Sequence, residues 1–174
     1  MLTERLLIRD IERADFKDIC EYGCDEETGQ YMIYWPKTKE QINEFIDTCI
    51  KAKDSDPISW YEFAIQLQDN KKVIGNISIN LKENVAEIGW ISNKLYWNKG
   101  YMSEAVGAVI KYAFNNLNIK QLIATCTDKN FASYKLMEKC GMVRIKTENN
   151  HKASRQGVEV TYNKFTYSIS KPLD

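Results

Sequence analysis

The stretch of this sequence best suited to chemistry runs Glu87-Ile88-Gly89-Trp90-Ile91-Ser92 and then Tyr96-Trp97-Asn98-Lys99-Gly100-Tyr101-Met102-Ser103-Glu104-Ala105. An apolar strand ends, a short loop turns, and a helix begins at a glycine. The first backbone N–H groups of a helix have no acceptor within it and lie at the positive end of its dipole. An anion such as a pyrophosphate fits there, and Gly100 lets the backbone come close to it. Taken alone the pattern is weak, because a glycine before a helix is usually just a turn. It is not a Walker loop, because Gly-x-x-x-x-Gly-Lys-Ser/Thr is absent, nor a dinucleotide fingerprint, because Gly-x-Gly-x-x-Gly is absent too.

Such a loop needs a strand before it and a helix after it, and the periodicities supply both. Tyr61, Phe63, Ile65 and Leu67 alternate with Glu62, Ala64, Gln66 and Gln68. Val73, Gly75, Ile77, Ile79 and Leu81 alternate again, and a third strand runs from Val85 through Ser92. The turns between them, Asp69 to Lys72 and Lys82 to Asn84, are too short for crossovers, so the three form an antiparallel meander. After Gly100, the residues Met102, Val106, Val109, Ile110, Ala113 and Leu117 recur at helical spacing. Gln121 to Thr127 is the next strand, and the strand–helix–strand run makes it parallel to the last strand of the meander.

Around this centre, Leu6 to Arg9 reads as a first strand and Ala14 to Cys24 as a helix. A loop with Tyr31, Tyr34 and Trp35 follows. Thr38-Lys39-Glu40-Gln41 has capping-box form and opens a helix carrying Ile42, Phe45, Ile46, Cys49 and Ile50. Asn130 to Cys140 is a helix with Gly141 at its C′ position. Met142 to Thr147 and Val160 to Ser170 are two last strands. Glu148 to Gln156, which holds the sole histidine, His151, reads as a polar surface connection. The expected fold is α/β (α+β): one domain over residues 1–174, with a mixed, mostly antiparallel sheet flanked by helices.

Composition narrows the function classes. Lysines and arginines number 24, as do aspartates and glutamates, so no global field draws in nucleic acid or an anionic membrane. No stretch approaches the roughly 20 apolar residues that cross a bilayer. The opening Met1-Leu2-Thr3-Glu4-Arg5 is charged where a signal peptide is apolar, which points to the cytoplasm. Cys20, Cys24, Cys49, Cys126 and Cys140 form no Cys-x-x-Cys pair, and with one histidine they supply no zinc-site spacing. No metal is expected, and the cysteines read as small buried hydrophobes in a reducing compartment.

Tyr96-Trp97-Asn98-Lys99-Gly100-Tyr101-Met102-Ser103-Glu104-Ala105 resembles the pyrophosphate loop of acetyltransferases of the GNAT superfamily. It is most similar to the branch that acetylates ribosomal-protein N-termini, where Tyr-Trp-Gly-Lys-Gly-Tyr-Ala-Thr-Glu-Ala is typical. The superfamily pattern is Gln/Arg-x-x-Gly-x-Gly/Ala. Trp97 holds its first position, Gly100 its fourth, and Met102 departs from it at the sixth. Asn130-Phe131-Ala132-Ser133-Tyr134-Lys135-Leu136-Met137-Glu138-Lys139-Cys140-Gly141-Met142 is similar to the family's Asn-x-x-Ser-x-x-Leu-x-Glu-Lys-x-Gly-Phe. The Thr3-Glu4-Arg5-Leu6-Leu7-Ile8-Arg9 opening and Trp35-Pro36 also fit, so the resemblance spans nearly the whole chain.

This resemblance implies that acetyl-CoA binds between two splayed parallel strands ending near Ile91 and Thr127. Ile91 would hold the pantetheine arm, and Trp97, Asn98, Lys99, Gly100, Tyr101, Met102 and Ser103 the pyrophosphate. Asn130 falls on a motif position close to the cofactor and equally suits a helix N-cap. The implied reaction is direct attack of a neutral primary amine on the thioester. A base helps, because an amine of pKa near 8 is mostly protonated at pH 7. Glu87 is the candidate base, on the strand face it shares with Gly89 and Ile91, and it reads equally as an exposed strand carboxylate. Glu62 is a second choice. The general acid falls on Ser133 by resemblance to the ribosomal-protein branch, because Met137 stands where many members carry a Tyr. Tyr31, Tyr34, Trp35, Trp60 and Tyr61, with Glu62, are expected to wall the acceptor pocket or simply to pack over the sheet.

Three functions stay open at this point. One is acetylation of a peptide N-terminal α-amine, the second acetylation of a small amine such as a polyamine or an antibiotic-like compound. The third is a non-catalytic acyl-CoA-binding module, which Met102 and Met137 leave open. Asp25-Glu26-Glu27 is either an acidic patch for a polycation or a solvated helix end. The expected partners are acetyl-CoA and an amine acceptor, with no nucleic acid or membrane, for a monomer or homodimer.

Overall fold

In the computed structural model, which describes residues 1–32, 35–155 and 157–171, seven strands form one sheet in the order β1-β2-β3-β4-β5-β7-β6. The strands are β1 (Leu6–Asp10), β2 (Trp60–Leu67), β3 (Val73–Lys82), β4 (Val85–Ser92), β5 (Gln121–Thr127), β6 (Val143–Arg155) and β7 (Val158–Ser170). The helices are α1 (Phe16–Gly23), α2 (Glu26–Gly29), α3 (Lys39–Lys53), α4 (Tyr101–Asn116) and α5 (Phe131–Lys139). Only β4 and β5 run parallel. Every other neighbouring pair is antiparallel. The parallel step follows from α4, which carries the chain back across the sheet before β5 begins.

Each face of the sheet is covered by a different set of helices because the strands alternate. On one side Leu6, Ile8, Ile65, Ile77, Ile79 and Ile88 pack against Val106, Val109 and Ala113 of α4 and Met137 of α5. On the other, Ala64, Val73 and Ile91 pack against Ile19 and Tyr22 of α1 and Ile42 and Ile46 of α3. Local signals set the helix ends. Thr38 accepts from the Gln41 N–H at 3.2 Å while the Gln41 side chain accepts from the Thr38 N–H at 3.3 Å, the reciprocal capping box. Helix α5 closes with Gly141 at φ +83°. The Met142 N–H donates to the Met137 carbonyl and the Gly141 N–H to the Glu138 carbonyl, both at 3.0 Å, which is a Schellman motif.

Several expected boundaries shift. The helix expected from Ala14 begins as a 3-10 turn, Arg13–Asp15, and becomes α-helical at Phe16. Asp25 opens the short α2, accepting from the Thr28 N–H at 2.9 Å. The expected connection from Glu148 onward is strand instead, because β6 continues to Arg155 and pairs His151 with Tyr162 and Lys152 with Thr161. Both faces of that hairpin end are largely solvated, so apolar alternation is missing and only the backbone ladder reveals the strand. Gln156 and Tyr34 lie outside the described residues. Of the five cysteines, all free thiols, only Cys49 is buried as expected; Cys20, Cys126 and Cys140 are half-buried and Cys24 is exposed.

Candidate active site

Strands β4 and β5 are joined only at Val85–Gln121, Ala86–Leu122 and Glu87–Ile123. Beyond Glu87 they diverge, each still held on its outer side, β4 by β3 as far as Ser92 and β5 by β7 as far as Thr127. The edges facing the split therefore carry backbone N–H and C=O groups without a ladder partner, which can bond an extended, amide-bearing arm. At the mouth of the split lies the loop to α4.

That loop is shaped by two left-handed residues, Asn98 at φ +59° and Gly100 at φ +80°. Gly100 is the N-cap of α4 and offers no side chain to its free amides, so these stay available for an anion. The Trp97 indole N–H donates to the Ser92 carbonyl at 2.9 Å, and the Ser103 hydroxyl donates to the Gly100 carbonyl at 3.0 Å. Behind the loop stands Glu104, which accepts from the Thr3 hydroxyl at 2.6 Å, the Arg5 N–H at 2.8 Å and the Arg5 guanidinium at 2.7 Å. Burial opposes its ionisation, but these bonds from Thr3 and Arg5 outweigh it and hold the carboxyl below its ordinary value. Glu104 is thus an anchor of the loop.

Split and loop open into a cavity of about 680 Å³. Its walls include Ile91 and Ser92 from β4, Trp97, Asn98, Gly100, Tyr101, Met102 and Ser103 from the loop and α4, and Asn130 and Ser133 at the start of α5. Tyr31 closes the side next to α2. Asn130 caps α5 by accepting from the Ser133 N–H at 3.1 Å, so its amide lies at the wall and serves the helix as well. Lys129, Lys135 and Lys139 also line the cavity, a cationic rim that suits phosphate groups. An apolar slot between strands, open helix amides and clustered lysines match the parts of acetyl-CoA, whose thioester is the acyl donor in this chemistry.

Glu87 lies at the base of the split, half-buried, and accepts from the Thr125 hydroxyl of β5 at 3.1 Å. It is not on the wall of this cavity. Lys99 also lies off that wall. Its carbonyl accepts from Arg5 at 3.0 Å, and its ammonium sits 5.3 Å from the centre of the Tyr96 ring. Met137 is 1% exposed and faces the core, so it brings no donor to the site.

The expected acceptor wall divides. Trp35 belongs to the core, not to the cavity. It stacks on Tyr22 at 6.1 Å, packs on Phe45 at 5.5 Å and donates to the Gly23 carbonyl at 3.2 Å. Tyr61 and Glu62 line a second hollow, near the start of β2 and the end of α3. Glu62 accepts from the Asn76 amide, whose carbonyl in turn accepts from the buried Tyr22 hydroxyl at 2.9 Å. Burial pushes the Glu62 carboxyl up to about 7, against hydrogen bonds from Asn76 and Trp60 that favour its ionised form.

Three features escaped the sequence reading. The partnership of Glu87 with Thr125 exists only through the parallel register of β4 and β5. The lysine rim joins residues from the β5–α5 turn and from α5 that look like ordinary surface charges. The Arg5 clamp spans about a hundred residues of sequence, and its only signal is the arginine in the opening motif. Among the described residues no three His, Cys, Asp or Glu side chains group as a metal site, and no helix is long and apolar enough to cross a membrane.

Comparison with known proteins agrees with this geometry. Residues 5–143 match the acetyltransferase (GNAT) domain family. The chain is 37% identical over 144 residues to YnaD of Bacillus subtilis (strain 168), an uncharacterised N-acetyltransferase, covering 82% of this chain and 81% of that one. The crystal structure of a GNAT-family acetyltransferase from Bacillus anthracis superposes with a TM-score of 0.84 at 30% identity, covering 98% of this chain and 97% of the other. Two more distant structures share the fold. RimL, a ribosomal α-N-protein acetyltransferase in complex with coenzyme A, has a TM-score of 0.83 at 15% identity, over 98% and 96% of the two chains. Spermidine N-acetyltransferase from Vibrio cholerae, in complex with CoA and spermine, has 0.78 at 18%, over 97% and 96%. With a family match over most of its length and a split sheet that fits the acyl donor, this chain belongs to the GNAT acetyltransferases and is an acetyl-CoA-dependent N-acetyltransferase.

Proposed function

We propose that the acceptor is a peptide N-terminal α-amine, with Glu87 as the base that frees it for attack. The carrying observation is the place of Glu87, at the base of the split and oriented by Thr125. On the strand face that Glu87 shares with Gly89, the neighbouring strand contributes Ser78 opposite Gly89. Both are half-buried and small, so no bulky side chain of theirs stands beside the carboxylate. An α-amine titrates near 8, so about a tenth is neutral at pH 7 and a carboxylate, directly or through a water, has a modest task.

The nitrogen lone pair attacks the thioester carbon, the carbonyl oxygen takes up negative charge, and the C–S bond then breaks. The amine proton passes to Glu87, and the departing thiolate takes a proton from the Ser133 side of the cavity or from water. Ile91 and its strand neighbours hold the pantetheine arm. Trp97 to Ser103 and Asn130 hold the phosphate end, with Tyr31 at the acceptor entrance.

A small amine is the second reading, favoured by Glu62. It lies opposite Ser78, two strands from Gly89 on the same face, roughly 9–10 Å away. A second cationic group of a diamine would meet it there. Asp25 and Glu27 do not add to such a site, because Lys94 pairs with them at 2.6 and 3.2 Å.

The deciding experiment measures CoA thiol release from acetyl-CoA with peptides bearing Ser or Ala N-termini and, separately, with polyamines. Turnover on peptides that is lost when the α-amine is blocked supports the first reading. Turnover confined to polyamines replaces it with the second.

A further inference from the structure

The loop at the head of α4 is exposed at Trp97, Asn98 and Lys99 and carries a non-glycine residue, Asn98, in the left-handed region. Such a segment keeps one shape only if neighbours hold it. Arg5 makes several of those contacts, and it is not on the cavity wall. Its Nε donates to Glu104 at 2.7 Å, its Nη1 donates to the Lys99 carbonyl at 3.0 Å, and its guanidinium lies 4.5 Å from the centre of the Tyr101 ring. Its Nη2 lies behind Gly100, where a Cβ added to the glycine would come into van der Waals contact with it at 3.4 Å. Glu104 is itself fixed by Thr3, so the guanidinium has a rigid seat.

The bond to the Lys99 carbonyl has a directional consequence. In a trans peptide the C=O and the following N–H point opposite ways. Drawing the Lys99 carbonyl toward Arg5 turns the Gly100 N–H away from Arg5, toward the cavity. We infer that Arg5 is a positioning residue for coenzyme binding, aiming the Gly100 amide at the pyrophosphate from the far side of the loop. A lysine cannot replace it, because a single ammonium lacks the planar fork that holds Glu104 and the Lys99 carbonyl together and stacks on Tyr101. The inference rests on the reading that residues 97–103 hold the pyrophosphate.

The test compares the full-length wild type with R5A and R5K on acetyl-CoA and on S-acetylpantetheine, which has the thioester but no pyrophosphate. Both variants should raise the KM for acetyl-CoA and the Kd for CoA by about tenfold or more. kcat/KM with S-acetylpantetheine should stay at the wild-type value. R5K, which keeps a charge beside Glu104, should melt close to wild type, and millimolar guanidinium should partly restore R5A. An equal loss on both donors, or unchanged CoA affinity in R5K, overturns the role of Arg5. A wild type that uses both donors with equal KM overturns the loop assignment and the inference with it, a result distinguishable from the first because it needs no variant.

Discussion

Glu87 of β4 and Thr125 of β5 meet at 3.1 Å across the point where the two parallel strands part. The hydroxyl donates to one carboxylate oxygen, so the carboxylate is oriented and still has lone pairs for a proton from an amine or a water. The backbone pairing that ends at Glu87 and Ile123 makes this contact possible, because it sets Glu87 level with Ile123 and so on the same face as Thr125, two residues further along β5. A side chain one residue away on either strand would point to the opposite face.

If Glu87 is the base, Glu87→Gln should lower kcat by about 10²- to 10⁴-fold near pH 7 while leaving the Kd for CoA unchanged. The loss should shrink as the pH rises and the amine deprotonates by itself. A pH-independent loss, or a change of less than a few fold, would remove Glu87 from the mechanism. Thr125→Val should give a smaller loss of the same pH dependence.

Asn130 and Ser133 can be separated by substitution. Asn130→Ala should cost about 1 kcal/mol of stability as a lost cap, and Asn130→Ser should recover it. Thermal unfolding reads this directly. If Asn130 also touches the coenzyme, Asn130→Ser will restore stability without restoring the KM for acetyl-CoA. Ser133→Ala should lower kcat with acetyl-CoA and leave the melting temperature within a few degrees. Unchanged kcat would mean that the thiolate leaves without its help.

Gly100→Ala should destabilise the protein by roughly 1–2 kcal/mol, because φ +80° disfavours any Cβ even though the added carbon would only touch Arg5, at 3.4 Å. It should also weaken CoA binding more than Gly157→Ala does. Gly157 has φ +83° but an open surround at the tip of the β6–β7 hairpin. Equal CoA affinities in the two variants would argue against a close approach of the coenzyme at Gly100.

Glu62 makes stability depend on pH. Its folded value of about 7 lies above the ordinary 4.5, so between these the folded state keeps a proton that the unfolded chain has released. The stabilisation from that proton is fully present below the unfolded value and is lost as the pH rises through the folded one. Glu62→Gln, permanently neutral, should match wild type in acid and exceed it near pH 8 by up to about 3 kcal/mol. Denaturant melts at the two pH values check this, and identical differences at both would place the carboxyl's titration elsewhere.

Periodicity and end signals were enough for most of the elements. The meander, α4 at Gly100, the capping box at Thr38 and the glycine stop at Gly141 are local patterns, and each depends on residues a few positions apart. The loop motif from Tyr96 to Ala105 and the α5 motif from Asn130 pointed to the coenzyme through their resemblance to the GNAT family, which is legible because each motif is one contiguous stretch of chain. Strand β6 past Thr147 was not legible, because its side chains face water on both sides and carry no alternation.

What only the tertiary structure decided was which distant side chains share a surface. Trp35 and Glu62 read alike as acceptor residues, yet packing on Tyr22 and Phe45 took the first into the core, and strand register set the second beside Asn76. Glu87 found Thr125, and Arg5 found Glu104 and the Lys99 carbonyl, across 38, 99 and 94 positions of chain respectively. The sequence determined the hydrogen-bonding capacity of each of these groups. Their pairing depended on the register and packing of the whole sheet, because contacts at such separations form only when many weak local preferences are satisfied together.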